Sequence, residues 1–262
     1  MADVVLFEVV DRVATVILNR PEARNALSVE LLRALPAAVA AAEADGDVDV
    51  IIVTGADPAF CAGLDLKQLG SDGGPLRSSG ATGGAGHTHR GPMPPTTKPV
   101  IGAVNGAAVT GGFEIALNCD ILVASERARF ADTHARVGLQ PGWGLSVLLP
   151  QAIGLRRARE MSATGNFIDA ATALAWGLVN HVVAHDQLLA FTRQLAADIV
   201  SNDQPAVRRL LATYAENSDG TGAAAWVNED RVAGLWQGGD AVDPAEIERR
   251  RNAIMERGRA QV

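Results

Sequence analysis

Apolar residues fall along this chain in two rhythms. Short runs rich in β-branched residues stand at 13–19, 48–54, 100–104, 121–124 and 179–183, with glycine, proline, asparagine or aspartate at most of their ends. Runs of that length and make-up predict buried strands, and 128–130 adds a shorter one. Between and after them the period lengthens. Residues 29–44 place Leu31, Leu32, Leu35, Val39 and Ala42 on one helical face behind Ser28, a good N-cap. Pro36 lies inside that helix and predicts a kink or local break, since an interior proline costs about 3 kcal/mol. A helix is expected from about Leu145, and others over 156–163 and 170–176, closed by Gly165 and Gly177. Helices over 186–202, 203–216, 222–236 and 244–257 complete the chain. Strands thus alternate with helices to about residue 184 and helices alone follow. The pattern predicts an α/β fold: a core over 1–184 and a helical C-terminal region over 185–262.

Two stretches break these rhythms. Residues 70–95 are dominated by Gly, Ser, Thr and Pro, carry His87 and His89, and show no apolar period. A loop that long inside a compact domain predicts a mobile lid or binding loop with a short helical piece. The other is Lys98-Pro-Val-Ile-Gly-Ala-Val-Asn-Gly-Ala-Ala-Val-Thr-Gly-Gly-Phe-Glu-Ile-Ala-Leu-Asn-Cys-Asp120. Here a buried strand turns through Asn105-Gly106, and Gly111-Gly112 opens an apolar helix. Free N–H groups at such a helix start suit an anion, or an oxygen that becomes negative during a reaction. Glu114 lies in the first turn, either as an acid reaching solvent or as a buried acid/base group.

Composition narrows the functions. The chain has 262 residues, 48% of them hydrophobic, enough for a large core. A formal net charge of −7 and the absence of a long basic cluster exclude a nucleic-acid face; the run Glu248-Arg-Arg-Arg251 reads as a solvated helix face. With two cysteines, Cys61 and Cys119, no disulfide framework is expected, which suits a reducing cytoplasm. No run of 18 apolar residues predicts a membrane span. His181 and His185 lack acid or cysteine partners at ligand spacing, so no metal site is expected.

A second glycine turn, Ala59-Phe-Cys-Ala-Gly-Leu-Asp-Leu-Lys67, follows the 48–54 strand. If it faces the Gly111 turn, two N–H groups can converge on one oxygen, each such donor being worth about 10²–10³ in rate. These two stretches together resemble the crotonase (enoyl-CoA hydratase/isomerase) superfamily. Leu18-Asn-Arg-Pro-Glu-Ala-Arg-Asn-Ala-Leu27, Cys119-Asp120, Val137-Gly-Leu-Gln-Pro-Gly142 and Ala173-Leu-Ala-Trp-Gly-Leu-Val179 agree in the same order over nearly the whole chain.

The resemblance implies a crotonase-like ββα spiral core, a helical C-terminal region that assembles homotrimers or hexamers, and an acyl-CoA thioester substrate with no other cofactor. The thioester carbonyl would lie between the N–H groups of Leu64 and Gly111. Ala62, Gly63, Asp65, Leu66 and Lys67 would line the CoA ester, Arg24 and Lys67 would meet its phosphates, and Trp143 would line the acyl pocket or pack in the core. Hydratases of the family carry one glutamate at the position of Glu114 and a second twenty residues on. Here the second position is His134. Three readings stay open: His134 assists Glu114 in hydration; Glu114 alone shuttles a proton as in a Δ3–Δ2 enoyl-CoA isomerase; or the chain binds acyl-CoA without turnover. Asp132 stands two residues before His134, a spacing that does not by itself bring the side chains together. Aryl-CoA dehalogenase chemistry is disfavoured, because 139–143 has no nucleophilic aspartate. A serine peptidase on the same fold is disfavoured because the helix after Gly111-Gly112 offers Glu rather than Ser. Cys61 reads as a packed small hydrophobe.

Overall fold

The computed structural model describes residues 3–68, 91–237 and 249. Its organising unit is a pair of strands followed by a helix, with the two strands in different sheets. The large sheet has the order β1 (Val5–Val10), β2 (Val13–Leu18), β3 (Val50–Gly55), β5 (Val100–Val104), β7 (Ile121–Ser125) and β10 (His181–Val183). The small sheet has the order β4 (Ala59–Cys61), β6 (Ala107–Val109), β8 (Arg129–Ala131) and β9 (Ile168–Asp169). From β3 to β8 the chain lays one strand in the large sheet and the next in the small one: β3 then β4, β5 then β6, β7 then β8. The first two pairs step parallel to their successors in both sheets. This is the ββα spiral, and it stacks the turns that follow β4, β6 and β8 beside one another.

The apolar pattern explains the layers. β3 and β5 are buried at every position, as parallel strands covered on both faces require. Alternate residues serve different cores. Ile51 and Val53 point into the main core, with Phe60, Phe113 and Phe130. Val50 and Ile52 face a second cluster with Ile101, Val123, Leu188 and Ala196. The last two belong to α7 (Leu188–Val200), which covers the outer face of the sheet. Ser28 caps α1 (Val29–Ala44), its hydroxyl accepting from Leu31 N–H at 3.2 Å, and the predicted apolar face is buried. The helix runs through Pro36 without a break.

Several elements differ from the sequence expectation. β1 has no counterpart among the predicted strands: it pairs antiparallel with β2 through Asp11-Arg12, both at positive φ (50° and 64°), a tight hairpin turn. β4 and β6 are strands of three residues hidden inside the glycine-rich motifs. The helices expected over 203–216 and 222–236 are one continuous helix. Other α-helices among the described residues are α2 (Gly111–Leu117), α3 (His134–Val137), α4 (Leu145–Ile153), α5 (Leu155–Thr164), α6 (Ala170–Trp176) and that long α8 (Gln204–Gln237). Gly165 and Gly177 close α5 and α6 in left-handed conformation. His87, His89 and most of the 70–95 stretch lie outside the described residues, as does the 244–257 helix apart from Arg249, which is helical. Among the described residues no helix is long and apolar enough to cross a membrane.

Candidate active site

The two glycine turns meet. Gly63 adopts φ +88°, and a Cβ there would lie 2.9 Å from Val109 O, 3.2 Å from Thr110 Cβ and 3.6 Å from Gly111 N. Only glycine permits that approach. Leu64 is pinned by its bridge to Leu27: Leu27 N–H donates to Gly63 O (2.8 Å) and Asp65 N–H to Leu27 O (3.1 Å). Strand alternation then turns the N–H of Leu64 away from the bridge. Neither the Leu64 nor the Gly111 N–H has a hydrogen-bond partner among the described residues. The approach of α2 to β4 is equally tight, since a Cβ on Gly112 would lie 2.2 Å from Cys61 O.

Thr110, which launches α2, has φ 53° and ψ −116°. Such a backbone costs a non-glycine residue on the order of 1–3 kcal/mol and persists only when its surroundings enforce it. The enforcing contacts are Thr110 N–H to Ala131 O (3.0 Å) and the Thr110–Thr133 hydroxyl pair (2.5 Å). Together they tie the Gly111 turn to the turn after β8.

That second turn carries His134. Glu114 and His134 are both buried, and His134 Nε2 stands 3.5 Å from Glu114 Oε2. The twenty-residue spacing therefore brings the two predicted groups together. Asp132 completes the set, against the spacing argument: its Oδ1 lies 2.7 Å from His134 Nδ1 and also accepts the His134 N–H at 3.1 Å. A capping turn at the start of α3 folds the i and i+2 side chains onto one side, which separation along the chain does not reveal. Burial works against a charged imidazole, but hydrogen bonds and charge from Asp132 and Glu114 outweigh it and hold the His134 pKa up to about 10. Burial would likewise raise the Asp132 carboxyl; His134 and Ser162 reverse this and hold it below the usual range. His134 is thus an imidazolium at neutral pH, flanked by Asp132 and Glu114.

The other Glu114 oxygen, Oε1, accepts the backbone N–H of Trp143 at 2.8 Å. Trp143 is buried. Its ring lies across Gly111, where a Cβ would sit 2.7 Å from Cζ3, and its indole Nε1 has no partner among the described residues. The residue thus borders the Gly111 donor and orients the acid as well as packing. Asn118 supports the same loop, donating to Glu114 O and to Trp143 O, both at 2.8 Å. Glu229, which no local signal in the sequence points to, accepts from Gly144 N–H (2.5 Å) and Ser146 N–H (2.7 Å).

The candidate CoA-contacting residues surround the first turn. Arg24 and Lys67 are exposed and have no side-chain partner among the described residues. Arg24 is tied to the turn through its carbonyl, which accepts Ala62 N–H at 3.1 Å. Leu66 is half-buried and begins a helical turn. Asp65 caps that turn, accepting Lys67 N–H at 3.1 Å, and pairs with Arg20 at 3.1 Å. Its carboxylate is therefore occupied within the protein. His185 bridges Ser125 (3.0 Å) and Asp57 (3.1 Å), and His181 packs on Phe191. No group of three or more potential metal ligands occurs among the described residues. Burial pushes the Cys61 thiol up to about 12, as befits a packing residue.

Fold and site define a class: a ββα-spiral protein with two N–H groups, unpartnered among the described residues, on adjoining turns beside a buried carboxylate–imidazolium pair. The family model for enoyl-CoA hydratase/isomerase matches residues 8–237, and the chain belongs to that family. It is 54% identical to an enoyl-CoA hydratase from Mycobacterium avium of known crystal structure, covering 90% of this chain and 97% of that one with a TM-score of 0.80. Against the crystal structure of an enoyl-CoA hydratase from Mycobacterium tuberculosis H37Rv it is 53% identical, with 90% and 98% covered and a TM-score of 0.81. The Arabidopsis thaliana protein named "Probable enoyl-CoA hydratase 1, peroxisomal" is 40% identical over 201 residues, 76% of this chain and 73% of that protein.

Proposed function

We propose that this chain is an enoyl-CoA hydratase-like lyase that adds water across the Cα=Cβ bond of a 2-enoyl-CoA thioester, with no cofactor beyond the CoA of its substrate. The observation that carries the reading is the contact of the Gly63 and Gly111 turns beside the Glu114–His134 pair. The family and the hydratases it resembles support it.

The thioester carbonyl accepts the N–H groups of Leu64 and Gly111. Glu114 takes a proton from water as the oxygen adds to Cβ, and the π electrons move to the carbonyl oxygen. The resulting enolate is stabilised by the two donors, in a site whose burial strengthens them. The His134 imidazolium then protonates Cα, the enolate collapses to the thioester, and the proton held on Glu114 returns to His134 across their 3.5 Å contact. Water's two hydrogens end on the Cβ hydroxyl and on Cα, and both side chains are restored. Asp132 keeps the imidazole oriented and charged. Arg24 and Lys67 hold the phosphates of CoA, whose several anionic oxygens favour cations. Assembly into trimers or hexamers and action in the cytoplasm complete the proposal; two reduced cysteines suit that compartment.

The test is turnover of crotonyl-CoA and of a 3-enoyl-CoA by the wild type, Glu114→Gln and His134→Ala. Hydration of crotonyl-CoA is expected, falling about 10²–10⁴-fold in Glu114→Gln and strongly in His134→Ala. Turnover of the 3-enoyl compound alone would make the chain an isomerase. Tight acyl-CoA binding with no turnover of either would overturn the enzymatic reading.

A further inference from the structure

Glu229 is a buried carboxylate that the mechanism above does not use. It lies on α8, 115 positions beyond Glu114, and no cation pairs with it among the described residues. Its partners are the first N–H groups of α4: Oε1 accepts from Gly144, and Oε2 from Ser146 N–H and from the Ser146 hydroxyl. A carboxylate suits that position, because a helix N-terminus presents unpaired donors and the positive end of its dipole. Gly144, the N-cap, supplies no side chain for the task.

The loop Glu229 grips is the one that holds Glu114. Trp143 N–H goes to Glu114 and the next N–H, Gly144, goes to Glu229. Trp226, one turn earlier on α8 and also buried, lies so close that a Cβ on Gly144 would be 2.2 Å from its Cη2. Gly144 adopts φ +100°, a left-handed backbone that glycine takes up without a Cβ penalty. The loop is thus clamped from two sides, by Glu114 on α2 and by Glu229 with Trp226 on α8.

We propose that Glu229 is a positioning residue: by fixing the Trp143–Gly144 segment it holds Trp143 N–H against Glu114 Oε1, and so keeps Glu114 Oε2 facing His134 and the reacting carbons. The inference rests on the acid/base role proposed for Glu114. It joins the C-terminal helix to the catalytic pair through two consecutive N–H groups, those of Trp143 and Gly144. Charge favours the same picture: burial, and then the neighbouring Glu114 charge, raise the Glu229 carboxyl above its ordinary value, which places the two acids within electrostatic reach.

The experiment uses the full chain with Glu229→Gln and Glu229→Asp, read by kcat and KM on crotonyl-CoA, by melting temperature, and by the NMR ring signals of His134. In Glu229→Gln one N–H faces an amide NH₂ in place of an acceptor, so the loop shifts. Displacement of a reacting group by about 1 Å costs on the order of 10²-fold; a fall in kcat of about 10- to 100-fold is expected, with KM little changed. Glu229→Asp, which keeps the charge, should recover part of it and keeps the test open if the Gln variant does not fold. The His134 signals should move in the direction they move in Glu114→Gln. A lowered melting temperature with unchanged kcat and unchanged His134 signals would reduce Glu229 to a helix cap and overturn the proposal. If the wild type turns over no enoyl-CoA, the functional reading fails by itself. The His134 signals then decide the positioning claim alone, upheld by a shift and overturned by none.

Discussion

Gly63→Ala tests whether the contact between the two turns sets the rate. Gly63 has φ +88°, and an alanine there incurs about 1–2 kcal/mol of left-handed strain. Its Cβ would stand 2.9 Å from Val109 O, about half an ångström inside the 3.4 Å at which ordinary contact begins. That neighbour is backbone and cannot swing aside. The chain beyond it, Thr110 and Gly111, must move instead, and Gly111 carries one of the two donors. Loss of one oxyanion donor is worth about 10²–10³ in kcat, and a half-ångström displacement should cost a good part of that, about 10- to 100-fold. Overpacking adds about 1–3 kcal/mol to the strain, and a chain of this size melts about 2–4 °C lower per kcal/mol. A melting temperature about 4–20 °C lower is therefore expected. The assay is steady-state hydration of crotonyl-CoA beside a thermal melt, with Gly154→Ala as control. Gly154 has φ +82° but nothing within 4 Å of its would-be Cβ, so that variant bears the strain without the clash and should keep its kcat. A folded Gly63→Ala enzyme with full kcat would refute the reasoning.

Other expectations follow from the same geometry. His134 has its pKa raised from 6.5 to about 10, so its pairing stabilises the fold fully below 6.5 and less as pH rises towards 10. The stability advantage of wild type over His134→Gln should therefore shrink by a few kcal/mol between about pH 6 and pH 10, because each tenfold gain in proton affinity is worth about 1.4 kcal/mol; an advantage constant across that range in denaturant titrations would count against it. Asp132→Asn removes the charge that holds the imidazolium but leaves an oxygen for the His134 N–H, so NMR titration should find His134 losing its proton at lower pH than in the wild type. Asp132 itself is held low, so its contribution is present above the ordinary carboxylate pKa near 3.8 and is lost as pH falls through its depressed value. Gly112→Ala would drive a Cβ to 2.2 Å from Cys61 O, and stability should fall by about 3 kcal/mol or more, read as a sharp drop in melting temperature or soluble yield.

Much of this protein was determined by local sequence. The β-branched runs fixed the parallel strands because a strand buried on both faces must be continuously apolar. Ser28, Gly165 and Gly177 set helix ends by local hydrogen bonding and backbone freedom alone. The glycines at 63, 111 and 112 announced a close approach, since glycine is the residue that permits one. Tertiary structure decided what the approaches were to. It placed the Gly63 turn on the Gly111 turn, folded Asp132 onto His134, made that imidazole a cation between two carboxylates, and joined two expected helices into one that carries Glu229 to the Trp143 loop. Those pairings run between elements far apart in sequence, or depend on a turn whose direction the surrounding packing sets. Charge state follows them, because burial and the neighbouring groups exist only once the spiral has closed.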